Sequence, residues 1–413
     1  MSWRTVTFED APLEIIDGDR GKNYPSQNQL LESGYCLFLS ATNVTKDGFV
    51  FEHCQFITQE KHEALRKGTV NRGDVILTTR GTLGNVAYYS ESVPFPHVRI
   101  NSGMVTIKSD PAELLSSYVY YYLKSDLFQS QVRALQSGAA QPQLPIRDIK
   151  KIKFNYPDLP TQQRIAAILS AYDDLIENNR RRIALLEQAT RLLYREWFVH
   201  FRFPGHETAK FVDGLPVGWE LVSSSVAMQI NPKTVWDKTQ SKQIRLFPMG
   251  ALSKSGMSCN ESQFEYREKS TSVRFINGDT LFARITPCLE NGKTGFASFL
   301  EDGEVACGST EFIIFREKMI SKHFIYLMAR EDGFRQNAIT SMVGSSGRQR
   351  VQPSCFDKFM VSVPPEDVAY DFDSMVAPIF RQIQSAQKAN QQLTKARDLL
   401  LPRLMDGRIP VKV

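Results

Sequence analysis

Between Pro160 and Pro204 the chain has no proline, and after Leu159 it has no glycine until Gly205. Along that stretch Ile165, Leu169, Tyr172, Ile176, Ile183, Leu186, Leu193 and Trp197 step by alternating four and three residues, with Asn179 and Thr190 as the polar members of the register. The same steps return in Phe372, Val376, Ile379, Ile383, Asn390, Leu393, Leu400 and Leu404, with Ala386 and Arg397 filling the gaps. A 3.5-residue period held over about five heptads predicts a coiled-coil seam. At 1.5 Å per residue, ~35 residues span about 52 Å. Each stripe could instead pack onto its own neighbouring globule, but two stripes of one period favour mutual pairing. Connectivity makes that pairing antiparallel, because the first helix leads away from one globule and the second returns. Asn179 or Asn390 in the seam would help fix its register. Pro378 lacks an N–H inside the second stripe, which predicts a kink or a helix restart there.

The segments before each stripe have another pattern: short β-branched and aromatic runs punctuated by Gly, Asn and Asp. Val75-Ile76-Leu77, Val86-Ala87-Tyr88-Tyr89, Val105-Thr106-Ile107, Thr280-Leu281-Phe282 and Phe312-Ile313-Ile314-Phe315 predict strands. Ser116 to Ser130 and Ser321 to Asn337 predict helices. The two segments are copies. Arg72-Gly73-Asp74-Val75-Ile76-Leu77 recurs as Asn277-Gly278-Asp279-Thr280-Leu281-Phe282, and Phe38 to Gly48 resembles Leu246 to Gly256. Tyr118-Val119-Tyr120 and Phe128 match Phe324-Ile325-Tyr326 and Phe334; Ile149, Ile152 and Pro157 match Phe356, Phe359 and Pro364. The near-constant offset marks a tandem repeat. The expected fold class is α+β, with two tandem pseudo-symmetric globular domains separated by two long helices that form an antiparallel coiled coil. The boundaries are residues 1–157 for the first globular domain, 158–203 for the central helix, 204–217 for a linker, 218–364 for the second globular domain and 365–408 for the C-terminal helix.

Composition excludes several classes. With 42% apolar and 23% charged residues, wholesale disorder is not expected. The net charge of +5 permits an anionic partner without demanding one. No apolar run approaches a membrane span, and the first residues carry no apolar secretion-signal region. The six cysteines are scattered and form no CxxC, which fits a reducing cytoplasm and predicts no metal site. P-loop, GxGxxG, HExxH and GxSxG motifs are absent, as is the Asn-Pro-Pro-Phe type of tetrapeptide of amino-methyltransferases. No catalytic residue is assigned.

What remains suits binding. Arg80, Gly81 and Thr82 set a guanidinium beside glycine in a strand-to-turn segment, and Ala283-Arg284-Ile285-Thr286 is read as its partner segment, with Lys293 close behind. Later in each copy come Gln136-Ser137-Gly138-Ala139-Ala140-Gln141 and Gly344-Ser345-Ser346-Gly347-Arg348-Gln349-Arg350. Glycine permits close backbone approach; guanidinium can bridge guanine O6 and N7 or grip phosphate, and an amide can pair with adenine. Arg80, Gly81, Thr82, Gln141, Arg284, Lys293, Arg348, Gln349 and Arg350 are therefore the candidate DNA-binding residues. Solvated turns with ordinary surface arginines are the bland alternative.

The order of globule, long helix, globule and long helix resembles the specificity subunit of type I restriction-modification enzymes, the HsdS family. Three strings carry the resemblance: Tyr156-Pro157-Asp158-Leu159-Pro160-Thr161-Gln162-Gln163-Arg164-Ile165-Ala166, Glu196-Trp197-Phe198-Val199-His200-Phe201-Arg202-Phe203-Pro204-Gly205, and the closing Arg397 to Gly407. The second helix begins differently, because Pro364-Pro365-Glu366-Asp367-Val368-Ala369-Tyr370 lacks the Gln-Gln-Arg-Ile-Ala of the first. The resemblance implies target-recognition domains that each read half of a gapped double-stranded DNA sequence. It implies helices that dock two methyltransferase subunits, together with restriction/translocase subunits. S-adenosylmethionine, ATP and Mg²⁺ would then belong to those partners, with no cofactor bound by this chain. The alternatives are a free-standing protein reading a bipartite site without enzyme partners, a cryptic nuclease, and a coiled-coil scaffold that binds no nucleic acid.

Overall fold

The computed structural model describes residues 3–135, 142–237, 239 and 241–412. The chain divides into two units, Met1–Leu175 with Gln392–Val413, and Ile176–Gln391. Each unit therefore holds one globular repeat and a part of each long helix.

The Gly-Asp pairs of the repeat make one turn twice. Gly73 and Gly278 sit at φ of 90° and 91°, where a side chain would be strained. The Asp74 carboxylate accepts the Asn71 N–H at 2.7 Å, and the Asp279 carboxylate accepts the Ile276 N–H at 2.8 Å. An acidic side chain closing on the backbone in this way makes a tight turn, and each turn launches a fully buried strand, Val75–Thr78 or Thr280–Ala283.

Both strands enter the same sheet topology. In the first unit a four-stranded sheet runs in the order Leu13–Asp17, Met104–Ser109, Val75–Thr78, Val86–Tyr88, all antiparallel. In the second unit the corresponding order is Gln229–Ile230, Phe312–Arg316, Thr280–Ala283, Thr294–Phe296. A second four-stranded sheet follows suit: Cys36–Leu39 lies parallel to Val98–Ile100 in one unit, and Ile244–Phe247 parallel to Val305–Gly308 in the other. The registers agree, with Thr78 opposite Met104 and Ala283 opposite Phe312.

The helices predicted over Ser116–Ser130 and Ser321–Asn337 are each broken once. The first unit has Ser116–Lys124 and Asp126–Leu135, the second Lys322–Arg330 and Asp332–Thr340. At the first break the buried Ser125 hydroxyl donates to the Tyr122 carbonyl at 2.6 Å, a local bond that competes with continuing the helix. Both second helices start on an aspartate, which favours a helix N-terminus.

The long helices span Leu159–Tyr194, followed by a π-turn at Arg195–Val199, and Glu366–Met405. The second passes through Pro378 without the predicted restart. The carbonyl left unpaired by the missing N–H is that of Ser374, which is exposed and open to water.

Within the first unit Ile165, Leu169 and Leu404 are buried with Leu401 and Met405 against residues of the globular repeat such as Tyr118 and Phe154. Within the second, Trp197, Phe372, Val376 and Ile383 are buried with Tyr194, Phe198 and Phe324. The predicted stripe thus pairs helix with helix and also packs on the globular repeats, so the two expectations describe one core. The remaining seam positions are mostly less covered. Tyr172, Ile183, Leu186, Leu193, Ile379, Leu393 and Leu400 are half-buried, Ile176 is buried, and the Asn179 amide donates to Asn390 Oδ1 at 2.9 Å. Asn390 in turn donates to the Ile176 carbonyl at 3.3 Å. Paired seam asparagines of this kind fix register.

The segment expected as a plain linker contains a hairpin. Phe211–Val212 pairs with Leu215–Pro216 around Asp213 and Gly214, at φ of 50° and 82°. Asp-Gly is the preferred pair for such a two-residue turn.

Candidate nucleic-acid interface

In the first unit the turn after Val75–Thr78 is held at both ends. The Thr78 hydroxyl donates to the Thr82 carbonyl and accepts the Asn85 N–H at 3.0 Å, while Gly84 N–H bonds the Thr78 carbonyl at 3.0 Å. Gly81 and Gly84, at φ of 74° and 81°, let the chain reverse. Thr79 points inward, its hydroxyl donating to the Gly103 carbonyl at 3.1 Å. Alternation along an extended chain then turns Arg80 outward. Gly81 and Thr82 are exposed, and the half-buried Arg80 guanidinium has no hydrogen-bond or ion-pair partner among the described residues. Arg80 also forms a bridge with Gln143, and Leu144 N–H bonds the Thr79 carbonyl at 3.0 Å. Gln141 itself lies outside the described residues.

The second unit repeats the backbone and changes the side chains. Val351 N–H bonds the Arg284 carbonyl at 2.8 Å, and Ile285 bridges Arg350. Arg284 therefore occupies the place of Thr79, and Ile285 that of Arg80. The expected match between Arg80 and Arg284 is one residue out of register. The consequence is physical: Arg284 is directed inward, where one guanidinium nitrogen donates to the Val351 carbonyl at 3.1 Å and Nε is buried without a hydrogen-bond partner.

The other candidates on this side gather around the same strand end. The Thr286 N–H donates to the Gln349 carbonyl, and the Thr286 hydroxyl accepts the Gln349 N–H, each at 3.1 Å. Lys293 lies beside Ala283 but spends its ammonium on the Met249 carbonyl at 3.0 Å. Arg350 forms a forked pair with Glu311 at 2.7–3.0 Å, and that hydrogen bonding and attraction raise its pKa further. Val343 and Arg350 bridge the base of a loop whose tip, Gly344 to Arg348, is exposed. Arg348 is on that tip, its N–H bonded to the Ser345 carbonyl at 3.0 Å and its guanidinium without a hydrogen-bond or ion-pair partner among the described residues. Geometry thus separates two roles. Arg284, Lys293 and Arg350 build the loop platform, whereas Arg80 and Arg348 present open guanidinium forks.

Sequence reasoning passed over two buried polar groups by which the long first helix is fastened to the globular repeats. Gln162, fully buried, donates to the Glu113 and Pro157 carbonyls at 3.0 and 2.8 Å and accepts Leu115 N–H at 2.8 Å. This explains why the Gln-Gln string follows Pro160. Glu187 is buried just outside the seam and accepts Met257 N–H at 2.9 Å, and burial pushes its pKa up. Neither apolar periodicity nor a motif marks it.

The comparisons with known proteins agree with this architecture. A family model described as the type I restriction modification DNA specificity domain matches residues 13–188. The chain is 26% identical over 355 residues to the MjaIX specificity subunit of Methanocaldococcus jannaschii, covering 83% of this chain and 78% of the relative. It is 22% identical over 461 residues to the HindI specificity subunit of Haemophilus influenzae, covering 95% and 98%. A solved type I restriction-modification S subunit from M. genitalium covers 100% of this chain and 97% of its own, at 13% identity and a TM-score of 0.58, and so shares the fold. In sequence and in fold the chain is similar to type I restriction-modification specificity subunits. Sequence specificity for DNA is the role of a type I specificity subunit, which acts with the other subunits of its complex. Among the described residues, no helix is long and apolar enough to cross a membrane.

Proposed function

We propose that the chain is a type I specificity subunit that reads a bipartite double-stranded DNA target, one part with each unit, across a gap of unread base pairs. The observation that carries this is the repetition of one two-sheet unit with an open arginine near the matching strand end, on the turn itself in one copy (Arg80) and on the loop that bridges that turn in the other (Arg348). Phosphate contacts supply salt-sensitive affinity, and a few base-edge contacts per half supply specificity. The paired helices act as a spacer between the readers and as the platform for two methyltransferase subunits, joined by restriction subunits. Methyl transfer from S-adenosylmethionine to adenine, and ATP- and Mg²⁺-dependent translocation and cleavage, belong to those partners in the cytoplasm. The reading is tested by long-read methylation sequencing of the host with and without this gene. A two-part motif with methylated adenine on each side of an unspecified gap is expected, and it disappears on deletion. A methylation pattern unchanged by deletion would overturn the proposal.

A further inference from the structure

The two long helices carry an unusual run of charge. Between Glu177 and Glu187 the first has no acidic residue and includes Arg180, Arg181 and Arg182. Between Asp373 and Asp398 the second has none either, and its charges are Arg381, Lys388, Lys395 and Arg397. Two of these cations are neutralised: Arg181 by Glu177 at 2.9 Å, and Arg397 by Asp173 at 2.6 Å. Arg180, Arg182, Arg381 and Lys388 are exposed and have no ion-pair partner among the described residues.

Within the second unit an open groove of about 510 Å³ runs along this stretch, with Arg182 on one wall and Arg381 on the other. Arg182 donates to Gln382 Oε1 at 3.1 Å, which holds its guanidinium over the groove. Asn179, Gln382 and Ser385 line the space with polar groups, and Ala386 and Ala389 keep it shallow. Lys388 follows Arg381 by seven residues, about 10 Å further along the same helix face.

The lining favours a polyanion over a protein. Protein interfaces are anchored by large buried aromatic side chains; the groove has no aromatic lining, and its apolar groups are the small Pro378, Ala386 and Ala389. Larger apolar groups lie elsewhere on the first helix, where Leu185 and Leu192, seven residues apart on another stripe, are 65% and 53% exposed. Open guanidinium and ammonium groups above small polar residues match phosphate oxygens, which are recognised without regard to base sequence.

We infer that this groove binds the sugar-phosphate backbone of the unread base pairs, so that the helices contact DNA through Arg182, Arg381 and Lys388. The inference rests on the proposed DNA-reading function. Each phosphate neutralised contributes about 0.9 to the slope of log K against log salt. The test measures that slope for the full-length chain with its methyltransferase partner on a random-sequence duplex and on the target duplex, with the wild type and with R182Q/R381Q/K388Q. Losing three contacts should make the slope shallower by roughly 2–3 on both duplexes while the preference for the target is kept. A target duplex with uncharged methylphosphonate linkages confined to the gap should weaken the wild type and leave the variant unaffected, which needs no mutant to interpret. Equal slopes for wild type and variant, with no response to the neutral linkages, would overturn the groove assignment while leaving the reading loops standing. Loss of partner association at an unchanged slope would make the groove a protein-docking face and overturn it too. A wild type with no salt-sensitive DNA binding would remove the proposed function itself, and this inference with it.

Discussion

Replacing Asp279 by alanine is expected to lower the unfolding free energy of the second unit by about 3–5 kcal/mol. Asp279 is 1% exposed and takes two bonds from Arg316, at 2.7 and 2.6 Å, besides closing the turn onto Ile276. Burial pushes its carboxyl pKa up, and the Arg316 bonds and the Ile276 amide pull it back. The pair therefore adds little net attraction, and the loss comes from stranding a largely buried guanidinium and an amide. The repeat provides an internal control. Asp74 makes the same turn, but its cation, Lys108, is 3.9 Å away and 31% exposed. Asp74→Ala is expected to cost only about 1 kcal/mol. Denaturant unfolding separates the two, because Trp197, Trp219 and Trp236 report on the second unit and Trp3 on the first. Equal losses at the two positions would show that turn closure, rather than the buried guanidinium, sets the energetics.

Arg348→Ala and Arg80→Ala are each expected to weaken binding to the target duplex by roughly fivefold to 150-fold, the ~1–3 kcal/mol of one bidentate base contact. Each should relax base preference in one half of the target and leave the other half intact. Arg350→Ala is the contrast, because its guanidinium is already committed to Glu311 and serves the loop base. Its effect should be smaller and should come with a loosened loop. Competition binding against duplexes mutated in one half at a time reads these outcomes directly. If Arg80→Ala and Arg348→Ala weakened target and random duplex equally, both side chains would be phosphate contacts and the base readers would lie elsewhere.

The helices were legible in the sequence because their burial follows one period, and every expected seam position is buried or half-buried. The repeat was legible because its Gly-Asp turns and strands recur at a near-constant spacing. The interface was less so, since a one-residue shift reverses which side of an extended chain a residue faces. Arg284 looked like the partner of Arg80, yet a spacing of 205, the one that joins Gly73 to Gly278, carries Arg80 to Ile285. The hairpin at Asp213-Gly214 had a local signal that was passed over. The buried Glu187 had none, because its environment is made by a loop seventy residues away, at Met257.

The central claim is that two readers are held apart by paired helices whose length sets the gap. Inserting one heptad into each long helix keeps both seams in register and adds about 10 Å of rise, or roughly three base pairs. Methylation sequencing of a host carrying that variant is the direct measurement. The account predicts the same two half-sites with a longer gap between them. Altered half-sites, or an unchanged gap in a still-active complex, would contradict it.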